Sequence, residues 1–146
     1  MNNWYKSSGV ITYGSKVKRL PTSNSWWIVL DCCNDLICYY KQMTEKGYGI
    51  KLLPVSWGAH ITVVYGEEPP VKDKWNLYDG QKVQFEYSNQ IGNNGEYYWL
   101  PVVSQELSDI RASLGLSPIP RNNFHLTLGK KYCDIYYDES LKEGGS

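Results

Sequence analysis

Apolar residues along this chain follow two different spacings. Trp26-Trp27-Ile28-Val29-Leu30-Asp31-Cys32-Cys33 is a nearly continuous apolar run of strand length, the pattern of a strand covered on both faces and therefore central in a sheet. His60-Ile61-Thr62-Val63-Val64-Tyr65 instead alternates polar and branched apolar residues, which gives a strand one buried and one open face. Residues 82–87 and 97–103 are rich in aromatic and branched side chains, and the turn-forming Gly92-Asn93-Asn94-Gly95 between them predicts a hairpin. A short strand, broken by Pro54, is predicted within residues 50–55. Helical spacing occurs twice. Leu36, Ile37, Tyr39, Tyr40 and Met43 follow the capping residues Asn34 or Asp35 and end at Gly47 and Gly49. Leu107, Ile110 and Leu114 follow Ser104 as N-cap, with Gly115 near the stop. The sum is an α+β fold in a single domain, 1–146, with residues 1–25 a partly flexible arm and residues 138–146 a flexible tail.

Composition narrows the functional classes. Fifteen basic and fifteen acidic residues leave no net charge, which argues against gripping a long nucleic acid through counterion release but not against binding a small nucleotide. No run approaches a membrane span and the first eight residues lack the apolar core of a secretory signal, so a soluble protein of the cytoplasm is expected. Cys32, Cys33, Cys38 and Cys133 show no metal-ligand or redox spacing and read as reduced, mostly buried thiols. Aromatics are abundant, with six Trp, thirteen Tyr and two Phe, while histidine occurs only twice.

Both histidines lie in the same short pattern, His60-Ile61-Thr62-Val63 and His125-Leu126-Thr127-Leu128. With five Thr in the chain, the chance that both would be followed by Thr two places on is about one in a thousand. A single His on a strand is ordinarily a half-buried structural residue; a matched pair in a chain with no other histidine points to chemistry. Residues i and i+2 of a strand share a face, so each motif projects an imidazole and a hydroxyl together while the apolar residues anchor the core. Two such strands would gather two imidazoles and two hydroxyls around one cleft. One neutral His can take a proton from an attacking hydroxyl, the other can protonate a leaving oxygen, and the Thr hydroxyls can bind nonbridging phosphate oxygens. A two-His metal site is the weaker alternative, because no carboxylates recur at matching positions.

With these motifs the chain resembles the 2H phosphoesterase superfamily, whose two H-x-T/S strands lie in two pseudo-symmetric lobes. That resemblance implies antiparallel sheets forming a central cleft with helices outside, and metal-independent, cofactor-free chemistry at a 2′,3′-ribose phosphate. His60, Thr62, His125 and Thr127 would be its catalytic residues. Residues 26–33 and the stretch Gly58-Ala59-His60-Ile61-Thr62-Val63-Val64-Tyr65-Gly66-Glu67 further resemble the small phage anti-CBASS nucleases. This implies cleavage of 3′-5′ bonds in cyclic di- and trinucleotide immune signals inside an infected bacterium. The alternatives are a 2H protein that trims or opens RNA ends, and a sponge that holds nucleotide without cutting it. A nucleotide needs stacking rings and a few cations. Tyr13, Trp57, Trp75 and Tyr132 are the candidate rings, and Lys130 is the candidate cation beside the second motif, with Lys131 and the basic cluster Lys16, Lys18 and Arg19 as further cations.

Overall fold

The computed structural model describes residues 3–13, 26–55 and 58–132. Trp57, the basic cluster at residues 16–19, Cys133 and the tail lie outside the described residues. Eight strands and two helices follow one another: β1 (Trp4–Tyr13), β2 (Trp27–Asp31), α1 (Asn34–Tyr48), β3 (Leu52–Leu53), β4 (His60–Tyr65), β5 (Lys82–Ser88), β6 (Gly92–Asn93), β7 (Tyr97–Val103), α2 (Gln105–Ser113) and β8 (His125–Lys131). No helix among them is long and apolar enough to cross a membrane.

All eight strands belong to one sheet, in the order β3-β8-β4-β2-β1-β5-β7-β6, and β8 also pairs with β7. That last pairing joins β8-β4-β2-β1-β5-β7 into a closed, six-stranded barrel, where two sheets flanking a cleft were expected. The reason lies in β1. Its residues 4–10 pair with β5 and residues 10–13 with β2, so one long strand ties the two halves of the chain together. Part of the expected N-terminal arm is thus a central strand. Its polar Lys6-Ser7-Ser8-Gly9 stretch conceals the strand in the sequence, and Gly9 is required there because a Cβ would lie 2.5 Å from the Asp31 carbonyl oxygen. β2 sits between β4 and β1 with Ile28, Val29 and Leu30 fully buried, the central placement its apolar run predicts.

The hairpin forms from β5 and β7, with β6 added on β7, and the side chains of Asn93 and Asn94 accept turn N–H groups from Gly95, Glu96 and Tyr97. The helix α2 starts as predicted, Ser104 Oγ accepting the Leu107 N–H at 3.2 Å, and buries Leu107 and Ile110, with Leu114 buried at its C-terminal cap. In α1 Ile37 and Thr44 are buried and Tyr40 is partly buried against the core, with Tyr39 and Met43 turned outward. Thr44 tolerates burial because its hydroxyl donates to the Tyr40 carbonyl at 2.7 Å. Of the described cysteines, only Cys32 is partly buried, its thiol pushed up to about 12 by desolvation, whereas Cys33 and Cys38 are exposed free thiols.

Candidate active site

The two His-x-Thr strands are neighbours. β4 and β8 run antiparallel with Ile61 opposite Leu126, so His60 faces Thr127 and Thr62 faces His125 across the pair. The four polar side chains occupy the corners of a rectangle about 5 Å across the strands and about 7 Å along them. Ile61 and Leu126 sit between them on the other face and are completely buried. The surrounding ladder extends the pattern into two rows. Asp31, His60, Thr127 and Trp99 lie side by side across β2, β4, β8 and β7, and Val29, Thr62, His125 and Pro101 form the next row.

Each histidine is held the same way. Nδ1 of His60 lies 2.9 Å from the Gly58 carbonyl oxygen, and Nδ1 of His125 lies 2.9 Å from the Asn123 carbonyl oxygen. A carbonyl only accepts, so Nδ1 carries the hydrogen in both rings and Nε2 is the atom turned to chemistry. Both carbonyls come from residues with positive φ, +94° at Gly58 and +58° at Asn123, the left-handed turn that Gly and Asn adopt most readily. These two positions, Gly58-Ala59-His60 and Asn123-Phe124-His125, were missed in the sequence. A residue tolerant of positive φ two places before each His is the signal that could have found them. Asn34 does not cap α1, whose N-cap is Cys33. Its Oδ1 instead accepts the Ala59 N–H at 2.8 Å and braces the turn before His60.

Each motif strand also carries a bulge directly after its Thr. Thr62 is opposite Val29 and Val64 opposite Ile28, which leaves Val63 as an extra residue. Thr127 is opposite Trp99 and Gly129 opposite Tyr98, which leaves Leu128 extra. Val63, Val64 and Leu128 are all fully buried. The extra residue restarts the alternation, so Tyr65 and Lys130 return to the same face as the histidines. Lys130 therefore lies on the same face of β8 as His125 and Thr127, its ammonium 3.2 Å from the Glu96 carboxylate and 5.8 Å from the Tyr97 ring centre.

Two cavities open from this face. One, of about 640 Å³, is bounded by Thr62, His125, Trp27, Tyr65, Glu67 and Arg121. The other, of about 510 Å³, is bounded by His125, Thr127, Tyr97, Trp99 and Arg121. Arg121 was not a sequence candidate, since a lone Arg in a Pro-rich loop carries no pattern. Tyr13 and Trp75 are not among the groups around either cavity. They pack edge to face against each other, Trp75 also against Trp26, and the Tyr13 hydroxyl donates to the Trp75 carbonyl. Tyr132 bonds through its backbone N–H to the Lys51 carbonyl at 2.8 Å, beside β3. Among the described residues no group of three His, Cys, Asp or Glu is arranged to hold a metal ion.

Burial acts on the first histidine. Burial holds the His60 pKa below its ordinary 6.5; the Gly58 carbonyl and Asp31 oppose that shift and the proximity of His125 adds to it. His60 is thus mainly neutral at pH 7, with Nε2 able to accept a proton. An NMR titration of its ring carbons is expected to show a midpoint below 6.5, and a midpoint above 6.5 would contradict desolvation as the dominant influence.

One closed sheet thus carries the paired His-x-Thr strands, and two clefts open beside Thr62, His125 and Thr127. A family model described as 2H-SAK, the Swiss Army Knife 2H phosphoesterase domain, matches residues 51–136, more than half of the chain and both motifs, and the chain belongs to that family. Membership supports a phosphodiesterase hydrolase. Comparisons with curated proteins and with solved structures returned no match.

Proposed function

We propose that the protein is a phosphodiesterase that cleaves 3′-5′ bonds in cyclic di- and trinucleotides by two-histidine acid–base catalysis. The observation that carries this reading is the antiparallel pairing of the two motifs about Ile61 and Leu126, which puts two imidazoles and two hydroxyls on one face. His60, neutral at physiological pH, takes the proton of the ribose 2′-hydroxyl through Nε2 as that oxygen attacks phosphorus. His125, protonated, gives a proton from Nε2 to the departing 5′-oxygen. A 2′,3′-cyclic phosphate and a free 5′-hydroxyl result. Water then opens the cyclic phosphate with the roles exchanged: His125 takes the water proton and His60 returns one to the 2′-oxygen, leaving a 3′-phosphate. Thr62 and Thr127 donate to the nonbridging oxygens, where charge accumulates in the transition state. Neither hydroxyl is engaged by another side chain or carbonyl among the described residues.

Two further observations support a small cyclic substrate. The chain has zero net charge, which suits an enclosed nucleotide better than a polymer. The stretches 26–33 and 58–67 resemble phage anti-CBASS nucleases, and on that reading the protein removes cyclic nucleotide alarms in the cytoplasm of an infected bacterium. The test is incubation with a panel of cyclic di- and trinucleotides in EDTA, followed by product analysis. Linear products ending in 2′,3′-cyclic phosphate and then 3′-phosphate are expected. Activity that returns only with added metal would overturn the mechanism. Turnover confined to RNA ends, or intact nucleotide recovered after denaturation, would overturn the substrate assignment.

A further inference from the structure

The two cavities meet at His125 and at the loop that carries Arg121, Asn122 and Asn123. One includes Thr62 and the other Thr127, so they leave the His-Thr rectangle on opposite sides. Each is walled by one Trp and one Tyr. On the Thr62 side Trp27 and Tyr65 are directly paired across β2 and β4, with ring centres 4.8 Å apart and nearly perpendicular. On the Thr127 side Tyr97 and Trp99 stand two residues apart on β7, opposite Lys130 and Thr127. Both bulges take part, since they bring Tyr65 and Lys130 back to the site face. The exposed rings are not core residues: Tyr65 is 64% and Tyr97 42% accessible. Arg121 borders both cavities, and no carboxylate forms an ion pair with it among the described residues. A cation between two aromatic recesses matches a phosphate flanked by two nucleosides.

We propose that the two cavities are separate nucleobase pockets, one on each side of the scissile phosphate, with Arg121 beside that phosphate. The site therefore takes a dinucleotide unit in splayed form, with a base at both ends of the bond it breaks. This deepens the phosphodiesterase reading and rests on it for the position of the phosphate. It also separates this protein from an enzyme that opens terminal cyclic phosphates, for which a base on one side is enough.

The test is a binding measurement in which no bond is broken. Linear dinucleoside monophosphates with a 2′-deoxy sugar on the 5′ side cannot undergo internal attack. Three are titrated calorimetrically into the full chain: one with both bases, one lacking the 5′ base and one lacking the 3′ base. The two-base ligand is expected to bind about 5- to 150-fold more tightly than either one-base ligand, the value of one base–aromatic stack. Tyr65→Ala and Tyr97→Ala, both at accessible rings, should each weaken the two-base ligand. They should divide the one-base ligands between them, each variant weakening one and sparing the other. Arg121→Met should weaken all three. Equal affinity for two-base and one-base ligands, or both Tyr variants weakening the same one-base ligand, would overturn the two-pocket arrangement. Because cleavage is not read, a failed cleavage assay and a failed binding pattern are distinct results.

Discussion

Replacing either histidine with alanine is expected to lower kcat by about 10²- to 10⁴-fold, the range for loss of a general acid or base, while the thermal midpoint stays close to that of the parent. The fold does not depend on the rings. Ile61, Val63, Leu126 and Leu128 are fully buried and carry the packing of the two strands, and each imidazole is oriented by a carbonyl of the turn two residues before it. The two variants should differ on a substrate whose leaving group needs no proton. On a uridine 3′-(4-nitrophenyl phosphate) the departing phenolate is stable by itself, so His125→Ala should recover most of its rate and His60→Ala should not. The double variant should be little worse than the poorer single one, because residues that act as a unit are not additive. A loss of less than tenfold for either histidine, or equal recovery of both on the aryl ester, would overturn the assignment of base and acid.

The rectangle's contents were legible in the sequence; its shape was not. The repeated His-x-Thr spacing shows which side chains share a face of a strand, since a period of two is enough for that. It does not show which strands are neighbours. That β4 and β8 pair about Ile61 and Leu126 depends on closure of the sheet, and closure depends on β1, whose polar first half has the composition of an arm. The bulges were illegible for a related reason. Val63-Val64 and Leu128-Gly129 read as ordinary strand, and only the partner register reveals the extra residue that turns Tyr65 and Lys130 onto the site face. Aromatic composition was a poor guide to individual rings. Tyr13 and Trp75 satisfy each other within the packed interior, whereas Tyr65, Tyr97 and Trp99 border the clefts. Nothing local in the sequence distinguishes a Tyr that packs from one that lines a cavity.

Arg111→Met is expected to destabilise the fold by about 2–4 kcal/mol, the effect of leaving a buried carbonyl without its charged donor together with the smaller loss of an ion pair whose Glu67 partner is 42% exposed, and to lower the thermal midpoint by roughly 6–15 °C for a chain of this size. Arg111 follows Ile110 on α2 and is only 1% exposed. Its guanidinium donates to the Val63 carbonyl at 2.8 Å, to the Ser117 carbonyl at 2.6 Å, and to both oxygens of Glu67 at 2.8 and 3.1 Å. Val63 is the extra residue of the β4 bulge, and a bulge interrupts the strand ladder, so the arginine supplies a donor where the register shifts. It also ties α2 to the end of the strand that carries His60 and Thr62. Methionine can fill the volume, but it leaves the Val63 oxygen buried without that donor. Lysine should restore little, because a single ammonium cannot reproduce a planar fork that reaches four acceptors. The pH dependence follows from Glu67, whose pKa Arg111 holds below the ordinary 4.5. A carboxylate with a lowered folded-state pKa contributes stability that is complete above its unfolded value and is lost as pH falls through the folded one. The parent should therefore lose midpoint below pH 4.5 through Glu67, and Arg111→Met should lack that component, so the gap between them narrows as the pH falls. Thermal melts from pH 7 to pH 3 read both effects. A loss below about 1 kcal/mol at pH 7, within reach of an exposed pair, would show that Arg111 does not hold the bulge, and a gap that stays constant to pH 3 would show that Glu67 is not its charge partner.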